Sequence, residues 1–304
     1  MTLYVHTESY VYHIEPDLYI PGNILFSDGG SLKTTDGLLS SLIVGSAINA
    51  EYGYDEGPGK EIEFYSITGF IQQTESQVVV VDMMSPCLQR VDRKTKQISP
   101  LLGNCSSFGQ ASESIFQWPF SLILNKISPD QIFVTDGETN SLWMVNLDKH
   151  TVSRLVNHYP ETMFGVLQDW SSVDSLYITF THGVAKYNYQ IAAQPVVITG
   201  SADNGFTDGH FETAKFNNPG GMVLLSATTL LVADQDNNKL RVLDLDLNTT
   251  TSICTGRQGH GNGDLASCQL SFPQSMLVSC DTLYVGEYKM IRAVKGKIKN
   301  QNVD

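Results

Sequence analysis

Helical periodicity is nearly absent from these 304 residues, which sets aside helical bundles and most α/β architectures. No apolar run approaches the ~20 residues that cross a bilayer as a helix, so direct membrane insertion is not expected. No signal peptide opens the chain. Met1 stands almost inside a strand-like run, Leu3-Tyr4-Val5, and this reads as a mature or excised domain. Positive charge is scarce, with 19 basic residues against 32 acidic and a formal net charge of −13. Such a field repels phosphate backbones and anionic headgroups, so nucleic acid is not expected as a partner. The one basic stretch, residues 289–299 (KMIRAVKGKIK), reads as a final strand with solvated lysines.

Catalytic signatures are missing as well. There is no G-x-S-x-G elbow, no HExxH pair and no phosphate-cradling glycine loop ahead of a helix. The five cysteines, Cys87, Cys105, Cys254, Cys268 and Cys280, form no CxxC pair and have no histidine at zinc-ligand spacing. They fit disulfides better. A turn centred near Thr95 folds Cys87 back beside Cys105, and Cys268 lies in the loop that follows the strand ending at Cys254, leaving Cys280 unpaired. The sequons at Asn104 (Asn104-Cys105-Ser106) and Asn248 (Asn248-Thr249-Thr250) are candidate glycosylation sites. Together these features favour an extracellular protein or the ectodomain of a membrane protein.

What the chain does contain is repetition. The stretch 200–241, GSADNGFTDGHFETAKFNNPGGMVLLSATTLLVADQDNNKLR, reads with the residues after it as four short strands separated by Gly-, Asp- and Asn-rich turns. An element of apolar residues ending on an acid, or close to that pattern, recurs six times: Leu3-Tyr4-Val5-His6-Thr7, then the runs ending at Asp82, Asp136, Phe180, Asp234 and Glu287. From the second copy onward the spacings are 54, 44, 54 and 53 residues. The first gap is 75, which implies an insertion in the first blade around residues 17–41. Upstream, Gly57, Gly109, Gly209 and Gly263 share one position, with Phe64, Phe116, Phe216 and Leu270 seven residues later. A four-stranded sheet of this pattern cannot bury both faces alone, and radial stacking gives each face a neighbour. The expected fold is all-β, a six-bladed β-propeller of four-stranded antiparallel blades in a single domain over residues 1–304. The first copy lacks a strand ahead of Leu3 while the last copy has residues to spare, so either the two chain ends share one blade, the favoured arrangement, or a first strand is missing from this sequence.

The motif GFTDGHFETAKFNNPGGMVL…LLVADQDNNKLRVLDL resembles the NHL repeat, and GHGNGDLASCQLSFPQSMLV…TLYVGEYKMIRAV is a second, looser copy. The resemblance is strong over residues 200–294 and weak elsewhere. It implies a propeller used as a binding surface, common in secreted or membrane-anchored ectodomains. The family's arginine position is held by Arg241 and Arg292 and reads Tyr12, Gln89, Trp143 and Ala185 elsewhere. Such variation argues for a structural role filled differently in each blade.

Two functional classes follow. The first is a non-enzymatic scaffold that engages a protein or glycan through a propeller rim, with no cofactor. Exposed Tyr and Trp make rigid contacts at low entropy cost, so the candidate binding residues are Tyr52, Tyr54, Trp170, Tyr187 and Tyr189. The segment 17–41 and the short fourth unit are the places where a partner site is expected. The second class is a metal-dependent hydrolase or lyase with Ca or Zn in the central channel. Its metal would be held by the recurring acids Asp82, Asp136, Asp234 and Glu287, or by a pair such as His6 and His182. The alternative role for those acids is turn capping, because each follows a strand and faces backbone N–H groups. No catalytic residue is assigned.

Overall fold

The computed structural model describes residues 2–46, 57–58, 64–85, 87–103, 105, 115–191, 193–264 and 266–295. Strand β1 (Thr2–Tyr10) precedes the first complete blade, which consists of β2 (Ile14–Pro16), β3 (Ile24–Asp28), β4 (Ser31–Thr35) and β5 (Ser40–Gly45). Blade two has β6 (Gly57–Pro58), β7 (Ile67–Gln72), β8 (Gln77–Asp82), β9 (Leu88–Asp92) and β10 (Gln97–Leu102). Blade three has β11 (Pro119–Leu124), β12 (Gln131–Asp136), β13 (Ser141–Asn146) and β14 (Thr151–Val156). Blade four follows with β15 (Met163–Gln168), β16 (Ser175–Phe180), β17 (Gly183–Asn188) and β18 (Val196–Gly200). Blade five has β19 (Gly209–His210), β20 (Pro219–Ser226), β21 (Thr229–Asp234), β22 (Lys239–Asp244) and β23 (Thr249–Ile253). Blade six is built from β24 (Ser275–Ser279), the long β25 (Thr282–Lys295) and β1, in the order β1-β25-β24. These six antiparallel sheets make a six-bladed β-propeller. The described residues divide into two compact units, one up to His6 and from Phe164 onward, the other from Thr7 to Met163.

The two chain ends do share a blade. The first half of β25 pairs with β24, and in its second half the Ala293 carbonyl accepts a hydrogen bond from the Thr2 hydroxyl of β1. Leu3-Tyr4-Val5 is therefore part of the outer strand of blade six and not the second strand of blade one. That second strand is β3, Ile24-Leu25-Phe26-Ser27-Asp28, so residues 17–41 are not an insertion and instead carry β3 and β4. The physical distinction is the terminal acid. Leu3–Thr7 ends on a threonine, whereas β3 ends on Asp28 followed by the turn glycines Gly29 and Gly30. A Cβ on Gly30 would stand 2.1 Å from the Phe64 carbonyl oxygen, so only glycine lets the turn pass that close. With β3 in place, Asp28 to Asp82 is 54 residues, and the irregular first gap disappears. The 44-residue spacing before Phe180 also has a local cause. Only residues 157–162 connect β14 to β15, and this blade has no counterpart of β6 or β19, the short fifth strands at Gly57 and Gly209.

Cores form between adjacent blades. In β8, Val78 and Val80 join a cluster with Leu25, Leu32 and Val44, while Val79 and Val81 join one with Leu122, Ile132 and Val134. In β21, Leu230 and Val232 pack with Tyr177 and Val184, while Leu231 and Ala233 pack with Met276 and Val285. The period of two thus delivers alternate residues to two different cores, which is why these strands are apolar without interruption. The repeated Phe64, Phe116, Phe216 and Leu270 each enter one of these clusters.

Disulfides join Cys87 to Cys105 and Cys254 to Cys268, with Cys280 free and exposed. Cys254 and Cys268 sit within a core cluster and are 14 residues apart in sequence. Replacing both by alanine is expected to lower unfolding free energy by about 3 kcal/mol through the freed loop. Urea unfolding of the oxidised protein and the variant checks this.

Candidate functional site

The recurring acids are all engaged by the backbone. Asp28 Oδ1 accepts the Glu8 and Ser9 amides at 2.9 and 2.7 Å. Asp82 accepts those of Tyr65 and Ser66 at 2.8 and 2.9 Å, and Asp136 those of Gln117 and Trp118 at 2.7 and 3.3 Å. Asp234 accepts the Asn217 amide at 2.9 Å and Glu287 the Ser271 amide at 2.7 Å. Each buried carboxylate thereby clamps the segment that enters the first strand of its own blade. The turn after the second strand is held as well, through the amides of Met84 and Thr139, but the entry clamp is the more regular feature. Where the arginine position of the third strand carries a cation, the charge is paired: Lys33 Nζ to Asp28 at 2.7 Å, Arg241 to Asp234 at 2.7 Å, and Arg292 Nε to Glu287 at 2.7 Å. Lys33, not Tyr12, occupies the arginine position of blade one. It escaped the sequence reading because the strand register there was displaced. Blade four has Phe180 at the acid position, and its Lys186 turns instead to the buried Asp169 at 2.6 Å.

Burial pushes the Asp82 carboxyl up to about 6 against its three amide bonds. It also pushes Glu287 up to about 7 against Arg292, and raises Asp234 against Arg241. These shifts belong to structural clamps. Among the described residues no three His, Cys, Asp or Glu side chains group together in a metal-ligand arrangement, and His6 is exposed.

The aromatic candidates separate. Tyr52, Tyr54 and the sequon asparagine Asn104 lie outside the described residues. Tyr187 is 2% exposed, so it has no face to offer a partner. Trp170 is half-buried against the core cluster of Phe216 and Leu230, and the half-buried Tyr189 donates its hydroxyl to the Val173 carbonyl at 3.3 Å. Asn248 is exposed in a left-handed turn (φ 52°).

Among the described residues of the unit from Thr7 to Met163, the largest apolar exposure lies in segment 17–41. Leu38 is 87% and Leu39 77% exposed, with Leu18 at 55% and Tyr19 and Ile20 also exposed, as is Leu42 just beyond it. Ile24 pairs with Thr35, so the loop before β3 and the turn after β4 emerge from the same end of the sheet. Both are tied down. Asp17 accepts a two-pronged ion pair from Arg93 of blade two at 2.6 and 2.8 Å, and its side chain also bonds the Thr34 hydroxyl and the amides of Tyr19 and Ile20. Gln72 accepts the Leu18 amide at 2.8 Å, and the Arg93 guanidinium stands 4.9 Å over the Tyr19 ring. Burial by itself would raise Asp17, but the bonds from Arg93, Thr34 and the Tyr19 amide outweigh it and hold the carboxyl below its ordinary value. In the second turn, Asp36 accepts the amides of Leu38 and Leu39 at 2.8 and 3.0 Å. With its amides spent in this way, each loop presents its apolar side chains outward from a fixed backbone.

No protein-family model matches the chain, and no curated protein matches it. Solved structures do. An auxiliary nutrient binding protein from Bacteroides thetaiotaomicron superposes with a TM-score of 0.71 at 11% identity, covering 95% of this chain and 70% of that one. A chain of a nidogen/laminin complex gives 0.61 at 11% identity, covering 90% and 89%. The extracellular domain of a putative one component system from B. thetaiotaomicron gives 0.59 at 12% identity, covering 96% of this chain and 39% of that one. At these identities the likeness is one of fold.

Two outcomes follow from the charges. Asp82 and Glu287 carry raised values, so the folded state holds extra protons between the ordinary carboxylate range and pH 6–7. Their contribution to stability is present in acid and lost as pH rises through that window. The stability advantage of wild type over Asp82→Asn should therefore shrink between about pH 4 and pH 6, as read by urea unfolding at several pH values; an advantage that grows would refute it. Arg93→Met leaves the Asp17 charge buried without its cation. It should destabilise by about 3–5 kcal/mol, and amide exchange at Leu18, Tyr19 and Ile20 should accelerate while that at Val79 and Val81 follows only the global change.

Proposed function

We propose that this chain is a non-enzymatic NHL-type binding module, working outside the cell, that engages a protein partner through the rim of blade one. The observation that carries the reading is the apolar display of Leu18, Tyr19, Ile20, Leu38 and Leu39 on two loops fixed by hydrogen bonds. Exposed apolar side chains grouped at one end of a sheet mark an interaction surface, and a pre-ordered loop loses little entropy on binding. Blade one supports this in a second way, since the Asp17–Arg93 pair is buried beneath the loop and not offered to solvent. An extracellular setting is supported by the two disulfides and by fold neighbours described as a nutrient binding protein and an extracellular domain. The recurring acids, the strongest candidates for metal-assisted chemistry, are committed to backbone amides, so the binding reading accounts for more of the molecule.

The test compares immobilised wild type, the rim variant Ile20→Asp/Leu38→Asp/Leu39→Asp, and the control Leu247→Asp, which changes an exposed leucine of blade five. Proteins captured from extracellular extract are quantified by mass spectrometry. A partner retained by wild type and control but reduced about tenfold or more by the rim variant is expected, since two or more central contacts are lost. Equal retention on all three overturns the rim as the binding surface.

A further inference from the structure

Arg241 and Arg292 are 0% and 1% exposed, and each plugs the loop that enters its blade. The two plugs match contact by contact. Arg241 donates to the Thr207 carbonyl at 2.7 Å, to the Lys215 carbonyl at 2.7 Å and to Asp208 Oδ1 at 3.0 Å. Arg292 donates to the Gly261 carbonyl at 3.2 Å, to the Gln269 carbonyl and to Asn262 Oδ1 at 3.3 Å, with a further bond to the Gly259 carbonyl at 3.3 Å. Thr207, Asp208 and Lys215 stand 54 residues before Gly261, Asn262 and Gln269.

The plugs differ in charge. Arg241 lies between two carboxylates, Asp234 at 2.7 Å and Asp208 at 3.0 Å. Arg292 has Glu287 at 2.7 Å, but the residue in the place of Asp208 is an asparagine. Asn262 is exposed, and the equivalent Asp208 side chain keeps 39% of its surface in water, so a carboxylate at this position escapes most of the cost of burial.

Asn262 is followed by Gly263, and the chain has one other Asn-Gly step, Asn204-Gly205. Asparagine before glycine is chemically labile, because glycine has no Cβ to keep its amide nitrogen from the asparagine side chain. The Gly263 nitrogen, having given its proton to base, attacks Asn262 Cγ. The N–Cγ bond forms, the Cγ–Nδ2 bond breaks, and ammonia leaves with a proton from water. A second water opens the cyclic imide. Breaking the new N–Cγ bond leaves aspartate on an unaltered backbone, whereas breaking the bond to the backbone carbonyl leaves isoaspartate. A guanidinium has donors only, so the atom that Arg292 meets is the amide oxygen. Arg292 thereby draws electron density from Cγ, the carbon at which both the attack and the opening to aspartate take place. Asn204 has a weaker partner, the Asn217 amide at 3.4 Å.

We propose that Asn262 is a self-modifying site that converts to aspartate in the folded protein, giving Arg292 the second carboxylate that Asp208 gives Arg241. This conversion does not depend on the binding surface of blade one. Freshly purified wild type is incubated in mildly alkaline buffer at body temperature, both folded and in guanidinium chloride, and mapped by mass spectrometry that separates aspartate from isoaspartate. In the folded protein aspartate should accumulate at position 262, with a ratio to isoaspartate about threefold or more above that at position 204. In denaturant, with Arg292 out of place, the two positions should give similar ratios. Asn262→Asp should raise Tm by about 1–3 °C, whereas Asn204→Asp should not. Asp208→Asn, which transfers the blade-six arrangement to blade five, should lower Tm when fresh and regain it as aspartate re-forms. Asparagine retained at position 262, a ratio there no higher than at position 204, or a lower Tm for Asn262→Asp overturns the proposal.

Discussion

The constraint on which the structure depends is that no blade can keep its second strand dry alone. Val78, Val79, Val80 and Val81 are all fully buried, yet they point alternately to opposite faces of a sheet one layer thick. Each face must be covered by a neighbouring blade, and that neighbour has the same need. Stability is therefore shared, in the manner of repeat proteins, between units that are individually incomplete. The chain ends illustrate the consequence. Blade six would leave the edge of β25 open without β1; the opposite end of the sequence supplies that strand, and its Tyr4 ring meets Tyr284 edge-on at 4.9 Å.

Apolar stacking is non-directional and does not set the angle at which each blade is entered. The buried carboxylates do that. An acid at the end of the second strand accepts amides from the residues just ahead of the first, so one side chain ties both ends of a blade's inner hairpin. A carboxylate held in this way loses water and regains only part of that loss from amide bonds, which is why Asp82 and Glu287 are pushed toward neutrality. Lys33, Arg241 and Arg292 answer the same need by supplying a counter-charge from the third strand. In blades two and three the amide bonds serve without a cation. The arginine position varies because it supports a clamp that has more than one adequate solution.

The fold was legible because it is periodic. Two-faced apolar runs ending on an acid, with a plug phenylalanine upstream, specify both sheet and neighbour. Legibility failed where one copy was weak in pattern. Leu3-Tyr4-Val5 is as apolar as a second strand, and only the absence of a following acid distinguishes it from Ile24–Asp28, whose serine and charged turn make it look like a loop. That one displaced strand turned β3 and β4 into an apparent insertion and put Tyr12 at the position of Lys33. The binding surface was half-legible for the same reason. Segment 17–41 stood out as irregular, but its apolar display rests on Asp17, Arg93 and Gln72, which are far apart in sequence and join only through the packing of adjacent blades. Exposure of tyrosine cannot be read from composition either, since Tyr187 and Tyr65 are indistinguishable as letters and opposite in environment.

In a repeat architecture the residues that obey the repeat are explained by it, so departures carry the information about function. Lys186 and Phe180 depart, but a local ion pair restores what they remove. The leucines of segment 17–41 depart without any such structural return. Leu38 and Leu39, at a turn tip, are 87% and 77% exposed. That display costs solubility and strengthens neither a clamp nor a core. Side chains held in that condition, on loops whose amides are hydrogen-bonded beneath them, are best explained by something that binds over them.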